Sequence, residues 1–461
     1  MDRVASFSDF LIVGNGAIGT LAAIKIKNQF PNKSVSILGN FERSFSASAA
    51  AGAMANVYAE LEKCSGNASI NQDKYLEMGR AGSAGWIKFL EETDGMSLIT
   101  AMNTEVFLKK NASNFETENF NYVLESVKRD AKGGLIDITN KKKGFPFDSS
   151  RIQDVLEIKG EFAICTESLF NHFEKLLKLN GIKVFNDDCL EIDSERDFLF
   201  TKLGEKLGFE NLVVAAGSQT ANLFLGETVL PMLQGVGTAI LIEPLANTSI
   251  FGETVIRTVN RGGAQCGFHL VPRSDKKLYL GAGNYVTKPG NSHFRLDTIK
   301  YLLSILEEEL VNRDFVYSLT GAFVLGNRPR SIDGFPMIGP ISTNDSIYVA
   351  TGTNRAGLTW APFITDQIVN WFMNRRQSEI FKEWAPDRSP ISYGNKDAAI
   401  DYYKNSRLSN ALEHKLIAPH QTNAKLEELE NTALDLRRNI SEKYSFSEDF
   451  NLNPDSWGPL Q

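Results

Sequence analysis

The 461-residue chain is poor in the residues that announce covalent or metal chemistry. Its four cysteines, Cys64, Cys165, Cys189 and Cys266, lie far apart and form neither a paired metal motif nor a disulfide framework. Buried, reduced thiols of a cytoplasmic protein are expected instead. The five histidines, His172, His269, His293, His414 and His420, lack metal-ligand spacing, and no metal site is expected. No apolar run approaches the roughly 18–20 residues of a membrane span. The first strand is expected near residue 9, which leaves no room for a signal peptide. Positive charge is not in excess: 49 Lys and Arg against 56 Asp and Glu give a net charge of −7, which argues against nucleic acid or an anionic membrane as partner. Walker loops, zinc spacings and a Ser-His-Asp order are also missing.

What is present points to a large enzyme. At 42% hydrophobic and 23% charged, the chain can bury a sizeable core and is expected to form two domains. Asp9-Phe10-Leu11-Ile12-Val13 reads as a strand buried on both faces. Gly14, Gly16 and Gly19 follow at dinucleotide-fingerprint spacing, and Ala17 to Gln29 reads as a helix. The first glycine permits a tight turn, the second lets amides reach a pyrophosphate, and the third lets helix pack on strand. Amides of Ala17 and Ile18 would stand at the positive end of the helix. The next strand, Ser34 to Leu38, lacks the acidic residue that would hold a ribose; Gly39 and Asn40 stand there, with Asn40 or Glu42 as substitutes.

More than 300 residues later comes a second glycine-rich signal, Gly326-Asn-Arg-Pro-Arg-Ser-Ile-Asp-Gly-Phe-Pro-Met-Ile-Gly-Pro340 and then Thr351-Gly-Thr-Asn-Arg-Ala-Gly-Leu358. Together, the two ends resemble the D-amino-acid oxidase and glycine oxidase family of FAD enzymes, from about Phe10 to about Trp371. The resemblance implies an α/β fold: a discontinuous Rossmann-type FAD-binding domain plus an antiparallel-sheet substrate domain, in the glutathione-reductase-like arrangement of that family. It implies residues 1–85, 151–230 and 325–375 for the first and 86–150 and 231–324 for the second. Residues 376–461 form an extension outside it, with a helix near 422–444 whose seam is Leu426, Leu429, Ala433, Leu436 and Ile440. That helix is expected to pack back on the protein. Residues 100–150 are expected to form strands and loops at the edge of the second domain, and Leu296, Ile299, Leu303, Leu306 and Leu310 one stripe of a helix capping its sheet.

The resemblance also assigns a site. The cofactor is FAD, met by Gly14, Gly16, Ala17, Ile18, Gly19 and Asn40. Ser48, Ala49 and Gly52 belong to a small-residue segment that lies along the flavin ring. Ala216 and Gly217 close a buried strand beside the nucleotide, and Gly352, Ala356, Gly357 and Leu358 open the final helix. Arg328 and Arg355 match positions that hold a substrate carboxylate, which suits a guanidinium's planar fork. Arg330 is read as more structural, and Asp333 as a turn residue without a catalytic role. His269 is a candidate substrate contact, with Tyr279 and Tyr285 behind it; Cys266 is expected to be a buried thiol.

The activity so implied is FAD-dependent oxidation of the C–N bond of an amino acid or amine, by an oxidase or dehydrogenase passing electrons to O2 or another acceptor. A 2-hydroxy acid remains an alternative substrate. A flavoprotein subunit with a structural or electron-relay role is the other alternative, and a homo-oligomer is possible.

Overall fold

A computed structural model describes residues 6–63, 67–134, 138–140, 146–224, 226, 229–243, 253–263, 266–308, 310 and 317–461. Cys64 lies outside them. The expected first strand spans Ser6–Val13 and sits inside an eight-stranded sheet. Its neighbours are Val35–Leu38 on one side and Lys206–Val214 on the other, both parallel to it. Lys183–Phe185 and Asn344–Thr351 extend the parallel array outward. Alternation along the strand divides its side chains between two cores: Phe10 and Ile12 join one, Leu11 and Val13 the other. The chain turns one way after the first strand and the other way later, so a crevice opens at the strands' carboxyl ends.

The second sheet has nine strands. All its pairs are antiparallel except Thr254–Arg257 beside Ile99–Lys109. Ile152–Ile164, expected with the nucleotide-binding part, pairs in this second sheet. Long strands Met232–Glu243 and Leu319–Ser331 lie side by side and bring Gly235 opposite Arg328.

Two helices position the crevice. Asn67–Glu92 packs on Gly357–Asn374 through glycines: a Cβ on Gly82 would come 2.1 Å from the Thr359 carbonyl, and one on Gly85 2.6 Å from Pro362. Pro362 lies inside the second helix and has no N–H for the Leu358 carbonyl four residues back. The Trp86 indole donates to that carbonyl at 2.7 Å, so no buried acceptor is orphaned.

Two sequence readings need correction. Helix Leu296–Glu308 does not bury a leucine stripe: Leu296 and Leu303 are exposed, Ile299 is half-buried and Leu310 lies beyond its end. Its buried face is Thr298, Tyr301, Leu302, Ile305 and Leu306. Residues 100–150, read as strands and loops, contain the helix Asn114–Lys132, opened by a Ser113/Glu116 capping box.

The extension folds onto the first sheet's second core. Helix Thr422–Tyr444 buries Leu429, Ala433, Leu436 and Ile440 in the same cluster as Tyr403 and Leu408 of helix Lys396–Glu413. Among the described residues, no helix is long and apolar enough to cross a membrane.

Candidate active site

A cleft of about 800 Å³ opens where the parallel strands end, and its walls come from both sheets. Gly14 has φ +108°, a conformation that side chains resist. A Cβ there would stand 2.3 Å from the Ala215 carbonyl, and one on Gly19 would stand 1.9 Å from the Gly14 carbonyl. Gly16, Ala17 and Ile18 line the cleft, while Gly19 only lets the helix close on the strand. The Ala17 amide donates to Ser48 Oγ at 3.1 Å. This bare backbone at a helix N-terminus suits a pyrophosphate, so the residues present fit FAD.

Segment 46–54 runs along the cleft. Tyr279 donates to the Ala50 carbonyl at 2.8 Å and Arg273 to the Ala51 carbonyl at 2.7 Å. Ser48 and Gly52 face the cleft, whereas Ala49 turns toward the first core. Ala216, Gly217, Gly357 and Leu358 line the cleft; Gly352 and Ala356 instead line a smaller cavity of about 120 Å³ behind it.

At the ribose end the missing acid is not replaced by Glu42, which is exposed. Asn40 lines the cleft, and its side-chain carbonyl already accepts the Glu42 amide at 2.9 Å. Asp187 and Asp188, on the turn after Lys183–Phe185, line the same cleft. Sequence reading passed over them because the fingerprint places the acid one strand earlier.

Four arginines line the cleft, and three are engaged by carboxylates. Arg43 meets Glu174 at 3.0 Å. Arg257 meets Glu60 at 2.5 Å and spends its other donors on Asn56, Asn260 and the Thr258 carbonyl. Arg355 pairs with Glu60 at 3.1 Å and with Glu62, and donates to the Gly262 carbonyl at 3.0 Å. Arg328 differs: Nη1 donates to Asn284 Oδ1 at 3.0 Å, and no carboxylate pairs with it among the described residues. The Asn284 amide nitrogen is itself buried without a partner. Arg330 is on the same strand face as Arg328, being two residues on. Its partners, Asn453 at 2.7 Å and Asp455 at 3.2 Å, make it structural.

His269 faces Gly52: a Cβ on that glycine would stand 3.3 Å from His269 Nε2. Nδ1 lies 3.2 Å from the Gly267 carbonyl and therefore carries the hydrogen, leaving Nε2 an acceptor. Burial, with Arg257 and Arg328 nearby, lowers its pKa to about 3, so the ring is neutral. Tyr279 stacks on it at 5.7 Å. Tyr285 is turned away, bonded to the His293 backbone. Cys266 is buried and lines the cleft. Asp333 is fully buried, held by Arg388 at 2.9 Å and capping Phe335 N at 3.1 Å.

Glu60, Arg257 and Asn260 were not singled out from sequence. Burial pushes the Glu60 carboxyl up, but Arg257 and Arg355 outweigh it and hold it at about 2. The sole local hint was a charged residue closing the apolar strand Thr254-Val255-Ile256.

Residues 9–371 match the profile of a family described as FAD dependent oxidoreductase, DAO. A glycine oxidase of Bacillus subtilis (strain 168) is 22% identical over 385 residues, 81% of this chain and 94% of that protein. The crystal structure of glycine oxidase from Geobacillus kaustophilus superimposes with a TM-score of 0.67 at 18% identity, over 83% of this chain and 99% of the other. That of iminodiacetate oxidase from Chelativorans sp. BNC1 gives 0.66 at 17%, over 82% and 100%. At such identities the structural likeness is one of fold.

Proposed function

Because the chain belongs to the FAD dependent oxidoreductase family, we propose that it oxidises the C–N bond of an amine bearing a carboxylate, an amino acid in the simplest case. The uncharged amine loses a hydride from the carbon next to nitrogen, giving an iminium ion that releases its proton to water to become the imine. Bound FAD supplies the two-electron acceptor. The glycine oxidases and iminodiacetate oxidase of the same fold support an amino-acid-like substrate.

The observation that carries the reading is the state of Arg328. Its neighbours in the cleft, Arg43, Arg257 and Arg355, already hold carboxylates, whereas Arg328 is steadied by a neutral amide. A guanidinium with open donors, beside the unpartnered Asn284 amide, is a ready carboxylate site. We therefore assign the anchor to Arg328 and a wall-building role to Arg355. Neutral His269 accepts a hydrogen bond at Nε2 from the substrate nitrogen; it is too weakly basic to take that nitrogen's proton. Gly14, Gly16, Ala17 and Ile18 would hold the pyrophosphate of FAD, and Ser48, Gly52, Gly357 and Leu358 would bind its flavin end. The parallel sheet belongs to the nucleotide and the second sheet to the substrate. A cytoplasmic location goes with free, buried Cys165, Cys189 and Cys266.

A seam helix buried within its own molecule takes away the main support for an electron-relay subunit. The test is anaerobic mixing of the yellow protein with amino acids, simple amines and 2-hydroxy acids. Bleaching of the flavin band by amino acids is expected. Bleaching by hydroxy acids alone, or by none of the panel, would overturn the proposal.

A further inference from the structure

The extension lies outside the matched family region, yet one of its hydroxyls lines the smaller cavity behind the cleft, beside Arg355 and Arg330. Tyr402, on helix Lys396–Glu413, accepts the Gly263 amide at 2.6 Å and donates to Asp455 Oδ2 at 3.1 Å. Asp455 in turn holds Arg330 at 3.2 Å, with both side chains buried. Arg330 shares a strand face with Arg328. On its other side, the Gly262–Gly263 turn gives its carbonyls to Arg355 at 3.0 and 3.3 Å, and that of Gly263 to Asn354 at 3.1 Å. One hydroxyl thus ties together the turn that steadies Arg355, the strand that carries Arg328 and the C-terminal segment.

The fit leaves no slack. A Cβ on Gly262, which has φ +106°, would stand 2.7 Å from the Tyr402 oxygen. One on Gly263 would stand 2.9 Å from Arg330 and 3.0 Å from Asp455. Tyr402 is buried beside Asp455, and burial pushes its titration far up, so the hydroxyl keeps its proton and remains a donor to Asp455.

We propose that Tyr402 and Asp455 are positioning residues for substrate binding: they fix the Gly262–Gly263 turn and the Arg328 strand so that Arg328 meets the carboxylate. This rests on Arg328 being the anchor. A tail that merely stabilised the fold would affect melting and nothing else.

The experiment titrates the FAD-loaded full chain with acetate, read from the flavin absorption band, and measures flavin content and melting temperature alongside. Tyr402→Phe removes one hydroxyl and keeps the ring; Asp455→Asn keeps the shape and removes the charge. Each should weaken acetate binding roughly tenfold, the scale of one buried hydrogen bond, with flavin content unchanged. Leu429→Ala, in the seam and away from Gly263, should lower the melting temperature and leave acetate binding intact. Arg328→Ala should weaken acetate binding at least as much as Tyr402→Phe. The proposal is overturned if Tyr402→Phe and Asp455→Asn bind acetate like the unsubstituted protein while Arg328→Ala does not, or if Leu429→Ala weakens binding equally. If Arg328→Ala binds acetate normally, the anchor itself falls, and this proposal with it.

Discussion

At the residue scale, the glycines and the arginines make opposite demands. Gly14 and Gly19 are needed for the atoms they leave out. Gly14→Ala or Gly19→Ala would drive a methyl into a backbone carbonyl that cannot yield. Either variant should purify colourless, which the ratio of visible to ultraviolet absorbance measures. Arg328, on the proposed reading, acts through a contact it makes with the substrate carboxylate. Losing a charge-assisted contact costs about 1.5–3 kcal/mol, so Arg328→Ala should raise the half-saturating substrate concentration roughly ten- to hundredfold. Arg328→Lys should recover part of this, since an ammonium cannot reproduce the fork. Arg355→Ala should behave differently, leaving Glu62 buried without its cationic partner and Glu60 with Arg257 alone. Breaking such a pair costs about 3–5 kcal/mol, so the loss should appear first in denaturant unfolding. The glycines at the cleft were legible because a strand-turn-helix carries a local signature, whereas Arg328 was singled out by the family resemblance. The pairing of Arg257 with Glu60 joins residues 197 positions apart, and no local pattern encodes it.

At the scale of the element, helix Gly357–Asn374 tolerates an internal proline because another helix mends it. Trp86→Phe keeps an aromatic ring but strands the buried Leu358 carbonyl, which costs about 1–3 kcal/mol. Chemical denaturation should show that loss, with little change in substrate affinity. Apolar runs and glycine stops made the parallel strands and the seam helix readable, since their burial is regular. Two helices escaped for different reasons. In Asn114–Lys132 the buried face includes Glu116, Asn119, Ser126 and Asp130, so polar residues hid its period. In Leu296–Glu308 the period was right but the phase was not: of Leu296, Ile299, Leu303 and Leu306, Leu306 alone lies on the buried face, which Tyr301, Leu302 and Ile305 complete.

For the whole molecule, the buried histidines set a limit on acid tolerance. His269 is lowered from 6.5 to about 3 and His414 from 6.5 to about 4, chiefly by burial. The unfolded chain therefore takes up these protons first. Their contribution to stability is full above pH 6.5 and is lost as pH falls toward 4 and then 3. Each should add a slope of about 1.4 kcal/mol per pH unit in that window. Urea midpoints measured from pH 7 down to 4 should fall more steeply for the parent than for His269→Gln with His414→Gln. An unchanged slope would show that neither ring is buried neutral.

The order of the strands also has a consequence for how the protein is made. The ribosome delivers Ser6–Val13 first, but its parallel partner Lys206–Val214 emerges only much later, and Asn344–Thr351 later still. The phosphate loop therefore leaves the exit tunnel long before anything exists to complete its crevice. Contacts so distant in sequence form slowly, and unpaired strand edges invite aggregation meanwhile. A complete crevice for the cofactor therefore exists only once Asn344–Thr351 has emerged, late in synthesis.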